Sequence, residues 1–318
     1  MGTRTGTYYT GTMSGTAGSL ITVLDAILVA GQNWTKLFSG TNKAVYQTNG
    51  GNGFVLRVED SGTISAGGAR EATVRGAESA SDIDTLVDPF SFTTYWTNAE
   101  SCWRKSDTAD ATARSYWAVA DDRFVIIFVR FGTLNGDLYW FGDLERFWTG
   151  DSYLTTLLHR GSNNSTGSSL ALTSSTTIDY GSAINTTLHI ARRADGLLKF
   201  VNGTIVAANS EFGSASAGVA NYPSTSTTKL HMQPTAVNGI ESQDFNGAVS
   251  AAAMPRGAVP YLFECLHGDM TGVADGDTFT ATAYDASSQF IILSGASVFT
   301  ALSPRVILQT AGTWNPGF

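Results

Sequence analysis

The sequence predicts a mainly β protein: a sandwich or barrel-like domain with one N-terminal helix and a small C-terminal β appendage. Three observations predict it. First, Asn49-Gly50-Gly51-Asn52-Gly53 lies between the apolar pieces Ala44-Val45-Tyr46 and Phe54-Val55-Leu56-Arg57-Val58. Gly and Asn tolerate the left-handed backbone that a chain reversal needs, so this is a hairpin pattern. Second, Arg123 to Phe131 reads RFVIIFVRF, a near-continuous apolar run typical of a strand buried on both faces. Third, helical spacing is confined to one stretch and is scarce after residue 31.

Residues 1–16 are rich in Gly and Thr and read as an extended arm, either disordered or ordered against another subunit. Residues 17–30 give the helix. Leu20, Val23, Leu24, Ile27 and Leu28 recur every three or four positions, Ser19 can cap the start, and Gly31 is a natural stop. Only Thr22, Asp25 and Ala26 mark the opposite face, so the helix is expected to cover a sheet. Ser39-Gly40-Thr41-Asn42 reads as a polar turn, and Glu59 to Gly62 as another.

Strands are then expected within 69–78, at 102–105, 114–120, 123–131 and 138–144, with a turn at Asp121-Asp122 and a hairpin around Asn135-Gly136-Asp137. Asp82 to Asp88 reads as a loop, and 149–187 as a long surface excursion. Thr187–Ala191 and Leu197–Val206 read as paired strands around Asp195-Gly196, with Asn202-Gly203 suggesting a further tight turn. Residues 230–232 and 245–253 close this section. Met254 to Pro260 (MPRGAVP) is expected to be a stiff connection, because each Pro fixes φ and restricts its neighbour. Strands at 279–284, 290–293 and 305–309 make 254–318 the appendage, or the closing strands of the main domain at 17–253.

Composition bounds the function. The 318 residues are 42% hydrophobic but only 14% charged, with 34 Gly, so short strands and many turns fit, as do surfaces covered by neighbours. The net charge of −8 and the absence of a basic stripe argue against direct nucleic-acid binding. The apolar run from Leu20 to Ala30 is too short to span a bilayer, so no membrane insertion is expected. Cys102 and Cys265 sit among apolar residues and read as buried thiols.

The search for chemistry yields little. His159, His189, His231 and His267 lack metal-ligand spacing, and His189 reads as a sheet histidine. His267 with Asp269, and Asp275-Gly276-Asp277, read as loop and turn residues before they read as sites. No P-loop, dinucleotide fingerprint or nucleophile elbow is present, and no cofactor is expected. Asp121/Asp122 and Asp143/Glu145 are conceivable acid/base pairs, the second beside Trp140 and Trp148. The competing reading makes these carboxylates turn caps and the indoles core or interface anchors. Trp34, Trp140 and Trp148 are the candidate interface or glycan-stacking aromatics.

Six segments together resemble a group of tailed-bacteriophage virion structural proteins. They are GTAGSLITVLDAILVAG at 15–31, NWTKLFSGTNKAVYQ at 33–47, FVLRVEDSG at 54–62, WRKSDTADATARSYWAVADDRFVIIFV at 103–129, MPRGAVPYLFECLHG at 254–268, and the ending with Trp314. The order is that of similar proteins, some of which carry an inserted β module where this chain passes from Gly31 to Trp34. The resemblance implies a non-enzymatic building block of the tail, baseplate or neck, present in many copies. Its implied partners are itself, as a homo-oligomer, and other virion proteins, and its implied location is the virion, assembled in the host bacterial cytoplasm. Capsid decoration is one alternative. Another is a receptor- or host-glycan-binding tail module using Trp residues and the loops of 149–187. A third is a polysaccharide-degrading enzyme with Asp143 and Glu145.

Overall fold

The computed structural model describes residues 3–62, 68–90, 101–131, 135–161, 188–192, 194, 196, 199–206, 231–240, 253–267, 276–280, 287–294 and 305–315. Statements of absence and number below concern these residues. The fold is mainly β, in two sheets with one N-terminal helix.

The smaller sheet has seven strands. They are β2 (Thr35–Gly40), β3 (Lys43–Gln47), β4 (Val55–Glu59), β5 (Glu71–Ala80), β6 (Leu86–Pro89), β7 (Ser101–Arg104) and β13 (Arg160–Gly161). The expected hairpin is present: β3 and β4 pair antiparallel, Lys43 opposite Glu59 and Gln47 opposite Val55, around the Gly/Asn cluster. The turn at Thr41-Asn42 joins β2 to β3, with Asn42 at φ 56.

The larger sheet has thirteen strands. Its first part holds β1 (Thr7–Met13), β8 (Arg114–Ala120), β9 (Phe124–Phe131), β10 (Asn135–Asp143), β12 (Thr155–Leu158) and β14 (Leu188–Arg192). It continues through β15 (Lys199–Val206), β16 (His231–Ile240), β17 (Ala253–His267), β20 (Arg305–Ala311), β19 (Gln289–Ser294) and β18 (Thr278–Thr280). The short β11 (Glu145–Arg146) pairs with β17.

Two cores explain the β9 sequence. Val125, Ile127 and Val129 point into a core shared with the smaller sheet and the helix, through Leu24, Ile27, Tyr46, Leu56, Val74 and Trp103. Phe124, Ile126 and Phe128 point into a second core, against Val259, Leu262, Ile291, Val306 and Trp314 from the later strands of the same sheet. A strand buried on both faces has no use for a polar alternation, and RFVIIFVRF has none. The larger sheet therefore folds over on itself. A two-bond bridge between Arg4 and Trp314 ties its beginning to its end.

The helix is an α-helical stretch, α1 (Ser19–Leu24), followed by a π-helix, Asp25–Gly31. Both windings keep Leu20, Leu24, Ile27 and Leu28 on one side, so apolar spacing does not separate them. Leu24, Ile27 and Leu28 are fully buried, and each contributes about 1.5–3 kcal/mol relative to exposure. Ser19 is not the cap. Gly18 holds that position at φ 81, and the Ser19 hydroxyl donates to Ser14 O at 2.6 Å.

Several other expectations are corrected. Thr7–Met13 of the expected arm is a strand of this chain's own sheet, in register with β8 from Thr7↔Ala120 to Met13↔Arg114. The Asp82–Asp88 loop contains the start of β6, which pairs with β5. Asn135-Gly136-Asp137 lies inside β10, opposite Phe131, Arg130 and Val129, so the reversal falls earlier. Asn202-Gly203 is likewise within β15. The excursion at 149–187 begins with β12, all four residues buried. Two Thr in that strand looked like surface, but Trp140 Nε1 donates to Thr156 Oγ1 at 2.9 Å and Thr155 Oγ1 bonds Asp143. A buried hydroxyl with a partner carries little penalty.

MPRGAVP is strand, not connector. The long β17 absorbs Pro255 and Pro260 through register shifts against β16 and a left-handed Tyr261 at φ 64. Sheet bonding runs from β16 through β17 and β20 to β19 and β18, so these strands belong to the larger sheet. Residues 91–100, 162–187, 209–228 and 241–252 lie outside the described residues, as do Asp269, Asp275 and the expected loops and strands in those ranges.

Candidate functional site

Three buried polar nodes join pieces of chain that lie far apart in sequence. The first gathers four distant pieces of chain around Asp121, at the β8–β9 turn. Arg4 Nε donates to Asp121 Oδ2 at 2.8 Å, and its Nη2 to Oδ1 at 3.0 Å. Tyr261 Oη donates to Oδ2 at 2.6 Å and Arg123 N to Oδ1 at 2.9 Å. Arg4 Nη1 reaches on to the backbone oxygen of Asp143 at 2.7 Å. Burial alone would push the Asp121 carboxyl up. The Arg4 charge and its hydrogen bonds, with the Tyr261 hydroxyl, outweigh it and hold the carboxyl below the usual range.

Asp143 extends this node to the hairpin. Asn52 N donates to its Oδ2 at 2.7 Å and Asn52 Nδ2 to its Oδ1 at 3.3 Å, while the Thr155 hydroxyl binds Oδ1. The fit needs a glycine at residue 51: φ is 67, and a Cβ there would lie 1.9 Å from Asp143 Oδ2. Asn49 N and Gly50 N both donate to Asp122 O at 3.0 Å. The hairpin tip is thereby bolted onto β9 and β10. Burial raises the Asp143 carboxyl above its ordinary value, against the pull of Thr155, Asn52 and Arg4.

The second node starts the helix. The Asp60 carboxylate accepts from Leu20 N at 2.9 Å, and its backbone oxygen from Gly18 N at 3.0 Å. Lys105 Nζ binds the same carboxylate, Thr16 O at 2.7 Å and Ser19 Oγ at 3.2 Å. Both side chains are buried, and burial moves each towards neutrality, Asp60 up and Lys105 down. The third node is the bidentate pair of Arg256 with Asp151, at 2.7 and 2.6 Å, with Arg256 Nη1 donating to Arg192 O at 2.6 Å. It fastens the loop after β11 to β17.

The expected site residues separate against this frame. Asp143 ends β10 and Glu145 lies in β11, so they do not share a strand, and they are only 4% and 9% exposed. Trp34 and Trp140 are core side chains, not surface aromatics. Trp34 Nε1 donates to Asp121 O at 2.8 Å, and its ring meets Phe141 edge-on. Of the three indoles only Trp148 meets solvent, at 53%. Asp121 and Asp122 make the expected turn, but the Asp121 carboxylate is committed to Arg4.

His189 is buried on β14, its ring stacked on His159 at 4.6 Å, and His159 Nε2 lies 3.2 Å from Ser101 Oγ. Thirty residues separate the two rings in sequence, so spacing gave no sign of the pair. Cys102 is a buried thiol outside any disulfide, as expected. Among the described residues no group of three or more His, Cys, Asp or Glu is placed to hold a metal, and no helix is long and apolar enough to cross a membrane.

Sequence reasoning missed these three nodes. The available signal was charge inside apolar or turn contexts: Asp60 after Val58-Glu59, Lys105 after Cys102-Trp103-Arg104, and Arg256 between Pro255 and Gly257. Comparison with known proteins finds no protein-family model and no curated protein that matches this chain.

Proposed function

We propose that this chain is a structural subunit of a tailed-bacteriophage virion, part of the tail, baseplate or neck, acting by multimeric assembly without a catalytic step. One observation carries the reading. Buried charged residues of the segments that resemble phage structural proteins join those segments to one another. Asp60 of FVLRVEDSG meets Lys105 of WRKSD at the helix start, and Asp121 of the ADDR turn meets Tyr261 of MPRGAVPY. Contacts of this kind hold segments far apart in the chain in one shape. A low charged fraction of 14% suits a surface covered by neighbours.

Under this reading the partners are copies of this chain and other virion proteins, and the place of action is the particle. A map of the intact particle tests it. Density for this chain in the tail, baseplate or neck is the expected result. Density on the outer head surface would move the proposal to capsid decoration, and absence from the particle would end it. A second reading, a receptor- or glycan-binding tail module, is favoured by the exposed Trp148, an apolar ring able to stack on a sugar face. Loss of binding to host-surface polysaccharide on Trp148→Ala would support it.

A further inference from the structure

Four strands end the main hydrogen-bonded paths of the two sheets, and three are poor templates for another strand. β13 has two residues and β18 three. β2 carries Lys36 and a register break between Lys36 and Phe38, and Lys43 lies beside it on β3. Short strands, bulges and lysines are the usual means of blunting a sheet edge. β1 has none of them. It runs seven residues, TYYTGTM, in unbroken register with β8, without a charge or a proline. Among the described residues no backbone partner is seen on its outer side between Thr7 and Met13. The C-terminal segment bonds the chain at Arg4, before the strand begins.

The strand also suits itself. In an antiparallel pairing of two copies centred on Thr10, Thr7 falls opposite Met13, Tyr8 opposite Thr12, and Tyr9 opposite Gly11. Gly11, already covered by the Tyr116 ring of β8, puts no side chain in the way of a second strand. No like charges meet. Of the paired positions Thr7, Thr10 and Thr12 are exposed, while Met13 and the partly buried Tyr8 and Tyr9 hold the strand to the two cores. Arg4, clamped on Asp121 three residues earlier, fixes the strand's start.

We propose that the outer edge of β1 is an assembly interface, occupied by β1 of a second copy in a two-fold antiparallel pairing that joins the large sheets of both copies. A symmetric interface of this kind reuses one patch on each subunit. The inference rests on reading the chain as an assembling subunit, and its test separates the two.

Thr10 lies on the proposed axis, so Thr10→Cys should give a disulfide-linked dimer under mild oxidation. Ser115→Cys, exposed one strand inward on β8, should not. Thr10→Lys with Thr12→Lys should weaken self-association at least tenfold in sedimentation equilibrium, whereas Ser115→Lys should leave it unchanged. Circular dichroism and melting curves confirm that each variant is folded. Wild-type association with no Thr10→Cys cross-link and no effect of the lysine pair overturns the edge but not the virion reading. A wild-type chain that stays monomeric at every concentration overturns the edge as well. Cross-linked dimers from a chain missing from purified particles would keep the edge and refute the virion reading.

Discussion

Replacing Asp121 by Asn should cost about 3–5 kcal/mol of unfolding free energy, the range for removing one partner of a buried ion pair. The magnitude follows from the site. The Arg4 side chain is 2% exposed and that of Asp121 7%, so little solvent replaces the lost charge. Two Arg4 bonds, one from Tyr261 and one from Arg123 converge on this carboxylate. An amide offers one acceptor oxygen and turns an N–H towards the guanidinium. The assay is equilibrium unfolding in urea, followed by far-UV circular dichroism and tryptophan emission. Arg4→Met should cost a similar amount, and the double variant should cost less than the sum by about 2 kcal/mol, since neither charge is then left alone. The effect has a pH signature. The folded Asp121 carboxyl binds its proton more weakly than the unfolded one, so its stabilisation is present above about pH 4 and is lost as pH falls through the folded value. The gap between wild type and Asp121→Asn should therefore narrow with acidification below that point. A single-variant cost under about 1 kcal/mol at neutral pH, in the range of exposed pairs, would refute the reasoning.

Three further outcomes are expected. Lys105→Met should destabilise by about 3–5 kcal/mol by leaving the Asp60 carboxylate buried without its cation, and hydrogen exchange should speed up first at Leu20 to Leu24, whose start Asp60 caps. Gly51→Ala should cost at least about 1–3 kcal/mol from the left-handed backbone alone, with more from the clash against Asp143, measured by the same urea titration. Trp148→Ala should change stability by less than about 0.5 kcal/mol yet reduce acrylamide-quenchable emission, because Trp148 is 53% exposed, whereas Trp34, Trp103, Trp140 and Trp314 are 2% exposed or less and Trp117 is partly buried.

Much of the architecture was legible because β strands write their burial into local pattern. The apolar run at 123–131 gave a doubly buried strand, and the Gly/Asn cluster at 49–53 gave the hairpin. What stayed hidden depends on contacts far apart in the chain. Thr155 and Thr156 look like loop residues until Asp143 and Trp140 supply their partners. MPRGAVP looks like a connector, since bulges that let a strand carry two prolines leave no local mark. The N-terminal strand contains Gly and three Thr and becomes a strand by laying itself on β8. The same logic governs the sites. Trp140 beside two acids resembles a sugar subsite in sequence, but alternation along β10 sends Trp140 into the second core and Asp143 into the hairpin tip. Arg4 and Asp121 are 117 residues apart, beyond the reach of any spacing rule.

Absolute quantification of this chain in purified particles by mass spectrometry tests the central claim most directly. The account predicts a fixed, multiple copy number per particle that matches a symmetric ring or shell and survives stringent washing. A trace, variable amount, or none, would contradict it.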